Sequence, residues 1–317
     1  MVRFAWLFPG QGSQVVGMAC DVARTSVCAR AVFERADEAL GEPLSKLIEN
    51  GPEEELTLTA NAQPAILVAS IALLEALRER CPDLPEPSVL AGHSLGEYTA
   101  LVVAGALSLE DAIRLVHLRG KAMQGAVPAG TGTMAAIVAM DNAGVEAVCA
   151  EVADNDVVSP ANFNAPGQVV IAGHVRAVER ASAKAVERGG RVFPLRVSAP
   201  FHCALMQPAA DAMADALSKV AISGTRSPVL SNVDGLPHAD ASSIRRRLIA
   251  QMTSPVQWEQ TLRTMGSMGI THTIEVGPGD VLSGCVKRTL KGVVPLSVRD
   301  EVWLTKTMNA LATLANS

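Results

Sequence analysis

The sequence predicts an α/β fold interrupted by a small βαββαβ insert, and three observations lead there. Strand-like and helix-like stretches alternate along the 317 residues. A βαββαβ succession occupies about 128–197. In GHSLG (92–96) a serine between glycines follows a short apolar run and opens a helical one.

Taken in order, FAWLF (4–8) reads as a buried strand, and Gln63 to Arg80 as a helix that Pro82 stops. SVLAG (88–92) is a short strand, Leu95 to Ala106 a helix ended by Gly105, and AIRLVHLRGKAM a further helix. In the insert, TMAAIVAM (133–140) is a strand, Val145 to Ala153 a helix, VVSPANF (157–163) a strand, and QVVIAG (168–173) its partner across Ala165-Pro166-Gly167. A helix over 174–189 carries apolar residues at 175, 178, 181 and 185, and RVFPLRV (191–197) closes the split-βαβ pattern of ferredoxin-like domains. Residues 1–127 and 198–317 are then the two parts of the larger domain. There Cys203 to Val220 is helical, PVLSNV (228–233) a strand, and a long helix begins after Pro255. HTIEVG (272–277) is a strand, and 280–290 and 301–315 are helices.

Composition narrows the function. Apolar residues at 49% and charged residues at 19% describe a globular chain with ample core. Aromatics at 3% and a net charge of -5, with no basic block, argue against nucleic-acid binding. The N-terminal apolar run meets Pro9 and Gly10 before a secretory segment would be complete. The longest apolar stretch, AILVASIALL (65–74), is too short to span a bilayer. A cytoplasmic protein without membrane contact is expected. The six cysteines show no CxxC pairing and no histidine cluster, so reduced, non-ligating thiols and no bound metal are expected.

The strand-turn-helix context of Gly92-His93-Ser94-Leu95-Gly96 suits a nucleophile elbow, with Leu95 N–H as one oxyanion donor; a plain structural turn is the alternative. A serine hydroxyl needs a base. His93 is adjacent and expected to point away, whereas His117 and His174 fall on helices. His202, in RVSAPFHCALM, lies where the insert returns the chain to the larger domain, and such junctions line clefts. It is either the base or a buried hydrogen-bonded histidine. Arg119 is either a solvated helix position or a planar clamp for a substrate carboxylate.

Several stretches together resemble one family: FPGQGSQ (8–14), GHSLGEYTAL (92–101), HLRGKAMQ (117–124), NAPGQVVIAG (164–173), VSAPFHCALM (197–206), SPVQW (254–258) and EVGPGDVL (275–282). They are similar, in order from residue 4 to about 290, to malonyl-coenzyme A:acyl-carrier-protein transacylases, a group that includes free-standing trans-acting acyltransferases of polyketide synthases. The resemblance implies an α/β-hydrolase-like large domain with a ferredoxin-like insert. It implies Ser94 as nucleophile, His202 as base, and the carbonyl of Gln251 in place of a triad carboxylate. Gln11 N–H would join Leu95 N–H in the oxyanion hole, and Arg119 would grip the malonyl carboxylate. Phe201 would restrict the C2 substituent, or be ordinary core; His93, Asn162 and Asn164 would line the cleft.

The implied reaction is ping-pong transfer of malonyl from malonyl-CoA through malonyl-Ser94 to the phosphopantetheine thiol of an acidic acyl carrier protein, for fatty-acid or polyketide synthesis. No cofactor is held permanently, and a monomer is expected. Because the chain is itself acidic, docking calls for a local basic patch, with Lys287, Arg288, Arg191 and Arg196 as candidates. Three competitors remain. An esterase would use Asp234 or Asp240 with His272, in the order Ser, acid, His. An acyl hydrolase would share the elbow but favour loss of the arginine, and a docking subunit would have no activity.

Overall fold

The computed structural model describes residues 2–197 and 199–315. A parallel five-stranded sheet has the order β7-β2-β1-β8-β9, built from β1 (Phe4–Phe8), β2 (Val89–Gly92), β7 (Val229–Leu230), β8 (His272–Val276) and β9 (Val294–Val298). β1 and β2 are buried along their whole length, as parallel strands covered by helices on both faces must be, and so they read as unbroken apolar runs. From β1 the chain builds outward in one direction through β2 and β7, then in the other through β8 and β9. The strand order reverses between β1 and β8, so the crevice where such sheets bind ligands opens at their carboxyl ends, with the end of β2 beside it.

The second sheet is antiparallel, ordered β4-β5-β3-β6, from β3 (Gly132–Val138), β4 (Val158–Ala165), β5 (Gln168–His174) and β6 (Arg191–Pro194). Helices Asn142–Val152 and Val175–Glu187 cover one face, where Ile137, Val148, Val169, Ile171, Val178 and Ala181 form a separate core. This is the ferredoxin-like arrangement that the βαββαβ pattern predicted.

Several boundaries differ from expectation. The strand at 228–233 shrinks to Val229–Leu230 because Ser231 and Asn232 turn away to make polar contacts. The strand at 191–197 stops at Pro194, and Ser198 lies outside the described residues. The helix after Pro255 has only ten residues, Trp258–Ser267. The helix expected over Cys203–Val220 is a 3-10 turn at Ala204–Met206 followed by Gln207–Ser218, with Pro208 in its first turn. β9 was not anticipated; VPLSV carries a proline and an exposed first residue and lacks a clear apolar run.

One expectation about membranes needs correction. The helix containing AILVASIALL spans Thr59–Arg80, 22 residues, and by length and composition alone it is long enough to cross a bilayer. Here 83% of its most apolar window is buried inside the protein, where it packs on helices Val27–Leu40 and Leu109–Gly125. It is the central core helix.

Candidate active site

The elbow is a steric consequence of its two glycines. A Cβ on Gly92 would stand 1.9 Å from the carbonyl carbon and oxygen of Gly96, and one on Gly96 would stand 2.3 Å from the Phe8 carbonyl oxygen. Both contacts are with backbone, which cannot yield. Between them Ser94 adopts φ 53°, the left-handed region that L residues rarely occupy. The turn is held open from behind: Ser94 N–H donates to Asn232 Oδ1 at 2.6 Å, and Asn232 Nδ2 donates to the Gly92 carbonyl at 2.7 Å. Helix Gly96–Val103 starts directly afterwards, and Leu95 N–H has no acceptor among the described residues. The same is true of Gln11 N–H, in the turn after β1, whose side chain is anchored to Thr59 Oγ1 at 3.1 Å.

Ser94 Oγ lies 2.8 Å from His202 Nε2. On the other side of the ring, Nδ1 lies 2.9 Å from the Gln251 carbonyl oxygen, which can only accept. Nδ1 therefore carries the hydrogen and Nε2 keeps a lone pair for the serine proton. Burial first, then the positive charge of Arg119, holds the His202 pKa down at about 3, so the resting imidazole is neutral. His202 itself has φ 58°, a second strained residue at the site.

Arg119 is 1% exposed, which rules out a solvated helix position. Its Nη1 donates to Gln63 Oε1 at 2.8 Å, and its Nη2 to Gln251 Oε1 at 2.7 Å and to Ser94 Oγ at 3.1 Å. All three acceptors are neutral, and no carboxylate forms an ion pair with Arg119 among the described residues. Gln251 thus serves twice, its main chain orienting the histidine and its side chain the guanidinium. Its amide is fixed in turn by donation from Nε2 to Glu97 Oε2 at 2.8 Å.

These groups open on a cavity of about 510 Å³ lined by Gln11, Ser94, Arg119, His202, Phe201 and Asn162, among others. Its wall mixes this polar cluster with Met134, Val170, Leu195, Leu282 and Cys285. Phe201 is 7% exposed and borders the cavity beside His202. His93 also lines it, hydrogen-bonded through Nε2 to Asn164 Oδ1 at 2.9 Å and edge-on to Trp258. Burial lowers the His93 pKa to about 4. His117 and His174 are tied to backbone elsewhere, through the Ala60 carbonyl and the Val157 N–H. At the surface, Lys287, Arg288, Arg191 and Arg196 are exposed, and Arg196 reaches the cavity wall.

The esterase triad is not assembled. His272 pairs with Phe4 at the start of β1, the opposite end of the sheet from Ser94, which follows the Phe8–Gly92 pair. Asp240 caps helix Ala241–Ala250 by accepting from Ser243 N–H, and Asp234 is paired with Arg247.

Four site residues escaped the sequence reading: Gln63, Glu97, Asn232 and His238. Glu97 follows the elbow directly, in GHSLGEYTA, where a carboxylate on an otherwise apolar, wholly buried helix turn is the one available signal. Asn232 sat inside what read as a strand. Among the described residues no three His, Cys, Asp or Glu side chains are grouped to hold a metal ion.

Comparison with known proteins agrees with this geometry. The acyl transferase domain family matches residues 5–309. The malonyl CoA-acyl carrier protein transacylase of Escherichia coli (strain K12) is 49% identical over 289 residues, 91% of this chain and 93% of that protein. The protein of the same description from Bacillus subtilis (strain 168) is 46% identical over 302 residues, covering 95% and 94%. A crystal structure of an acyl carrier protein S-malonyltransferase from Vibrio cholerae superimposes with TM-score 0.93 at 46% identity, covering 96% of this chain and 99% of that one. A structure described as a type II PKS acyl-carrier protein in complex with its malonyl-transacylase gives TM-score 0.93 at 44% identity, covering 97% and 99%. With a parallel sheet that presents Ser94 to His202, an antiparallel insert, and a family match over nearly its whole length, the chain belongs to the acyl transferase domain family.

Proposed function

We propose that this protein transfers malonyl from malonyl-CoA to the phosphopantetheine thiol of an acyl carrier protein through malonyl-Ser94. One observation carries the reading: a buried arginine with no carboxylate partner donates to the hydroxyl that is also bonded to a neutral histidine. A positive charge kept there suits an acyl group that brings its own carboxylate.

In the first half-reaction Ser94 Oγ attacks the thioester carbon while its proton passes to His202 Nε2. The Gln11 and Leu95 N–H groups, which have no acceptor of their own, take up the oxyanion. The carbon–sulfur bond then breaks, and His202 returns the proton to the departing coenzyme A thiolate. In the second half the carrier thiol gives its proton to His202, attacks malonyl-Ser94, and Oγ recovers the proton as it leaves. A substrate carboxylate on Arg119 would offset the charge that depresses His202, so an anionic acyl group also makes the base easier to protonate. Phe201 is assigned to the space beside the malonyl C2, and His93 and Asn162 to the wall. Exposed Lys287, Arg288, Arg191 and Arg196 are the proposed contacts for an acidic carrier protein. All the reacting groups come from one chain, which is consistent with a working monomer, and malonyl-CoA and the carrier arm are substrates, with no resident cofactor in the scheme.

Intact-mass spectrometry after mixing with malonyl-CoA tests the proposal. A malonyl adduct on wild type, absent from Ser94→Ala and discharged by holo carrier protein, is expected. An adduct lost to water at the same rate with and without carrier would refute transfer in favour of hydrolysis.

A further inference from the structure

The Arg119 guanidinium is buried, yet its hydrogen bonds go only to neutral oxygens. A buried charge without compensation is expensive, so a counter-charge has to act on it from outside contact range. Glu97 is the carboxylate so placed. It is fully buried, and its Oε2 accepts from Gln251 Nε2 at 2.8 Å while Gln251 Oε1 accepts from Arg119 Nη2 at 2.7 Å. A single primary amide therefore stands between anion and cation, its dipole aligned with both.

Glu97 has two other partners. Oε2 also accepts from Asn232 N–H at 3.0 Å, and Oε1 lies 2.9 Å from His238 Nε2. The other ring nitrogen of His238, Nδ1, has no hydrogen-bond partner among the described residues.

The structure assigns Glu97 as a positioning residue that supplies the counter-charge of Arg119 through the Gln251 amide, close enough to permit burial of the guanidinium but not to occupy it. Direct pairing would fill the fork that a substrate carboxylate must use. Placing the anion one amide away orients Gln251, keeps the guanidinium on neutral oxygens that a substrate carboxylate can displace, and moderates the affinity for an anionic acyl group so that it can be released. This assignment rests on the proposed malonyl transfer for its substrate, but not for its test of charge coupling.

Glu97→Gln keeps the shape and an acceptor toward Gln251 while removing the charge. Relative to Ser94 sulfonylation by the uncharged reagent phenylmethylsulfonyl fluoride, it should lower KM for malonyl-CoA about three- to ten-fold and change acetyl-CoA by less, raising the malonyl-to-acetyl ratio. A purely structural Glu97 would depress both substrates together. Glu97→Ala, which also frees the Gln251 amide, should lose the discrimination altogether.

Independently of activity, thermal unfolding of Glu97→Gln, Arg119→Gln and the double variant should show the double less destabilised than the summed single shifts, although the two side chains do not touch. If Glu97→Gln alone is insoluble, recovery of folded Glu97→Gln/Arg119→Gln gives the same answer, and insolubility of both would refute the coupling. Additive unfolding shifts, or an unchanged or lowered malonyl-to-acetyl ratio, would overturn the assignment. A wild type that forms no malonyl adduct but still shows non-additive unfolding would instead sink the malonyl reading and leave the charge pair standing.

Discussion

Arg119→Lys keeps the charge and discards the fork, which makes it the sharpest probe of the clamp. In the resting site the guanidinium spans two amides, Nη1 reaching Gln63 Oε1 and Nη2 reaching Gln251 Oε1, with Ser94 Oγ as a third acceptor. An ammonium offers its donors from one point on a shorter stem and cannot serve both glutamines. One buried amide oxygen then loses its donor, at a cost of about 1–3 kcal/mol in stability. A malonyl carboxylate held by two parallel charge-assisted bonds would keep one. The loss of about 1.5–3 kcal/mol corresponds to roughly 10- to 150-fold in kcat/KM for malonyl-CoA. Acetyl-CoA has no carboxylate to lose, so its small acylation rate should fall by less than about five-fold, from disturbance of the Ser94 contact alone. Timed intact-mass measurement of acyl-Ser94 over a range of each thioester gives both constants on one enzyme preparation. A parallel fall for malonyl and acetyl would refute the clamp and make Arg119 a structural residue.

Two further expectations follow from the site. Because His202 must be neutral to accept the serine proton and its pKa is held at about 3, kcat/KM for acylation should stay level as pH falls through the ordinary histidine value of 6.5, declining only well below it; a protonation step between pH 6 and 7 in the free enzyme would contradict this. Gly92→Ala places a methyl 1.9 Å from the Gly96 backbone, so it should destabilise by at least about 1–3 kcal/mol and abolish labelling of Ser94; a folded variant that labels at the wild-type rate would show that the elbow geometry is not required.

Legibility followed the range of the interactions. β1 and β2 stood out because strands buried on both faces read as apolar runs, β8 because HTIEVG runs into a Gly-Pro-Gly turn, and the insert because each strand and helix keeps its own period. β9 did not, since its place is settled by pairing with a neighbour already in the sheet, and β7 was legible as a strand but not in its two-residue length, which Ser231 and Asn232 set by turning to polar partners. Arg119 likewise looked ambiguous on its helix, because its burial depends on Gln63 and Gln251, 56 and 132 residues away.

By itself the sequence determined the elbow. Two glycines around a serine, after an apolar strand, permit the tight turn, while the backbone that Gly96 clears belongs to Phe8 and the turn is held by Asn232. The tertiary structure decided everything that, on the proposed reading, makes the serine reactive: His202 brought to its hydroxyl from 108 residues away, the Gln251 carbonyl that sets the tautomer, and the burial that keeps the imidazole neutral. It also decided that the carboxylate of GHSLGE stands behind Gln251 and not on the arginine. Proton affinity and charge balance depend on what surrounds a group on every side, and only the folded chain supplies those neighbours.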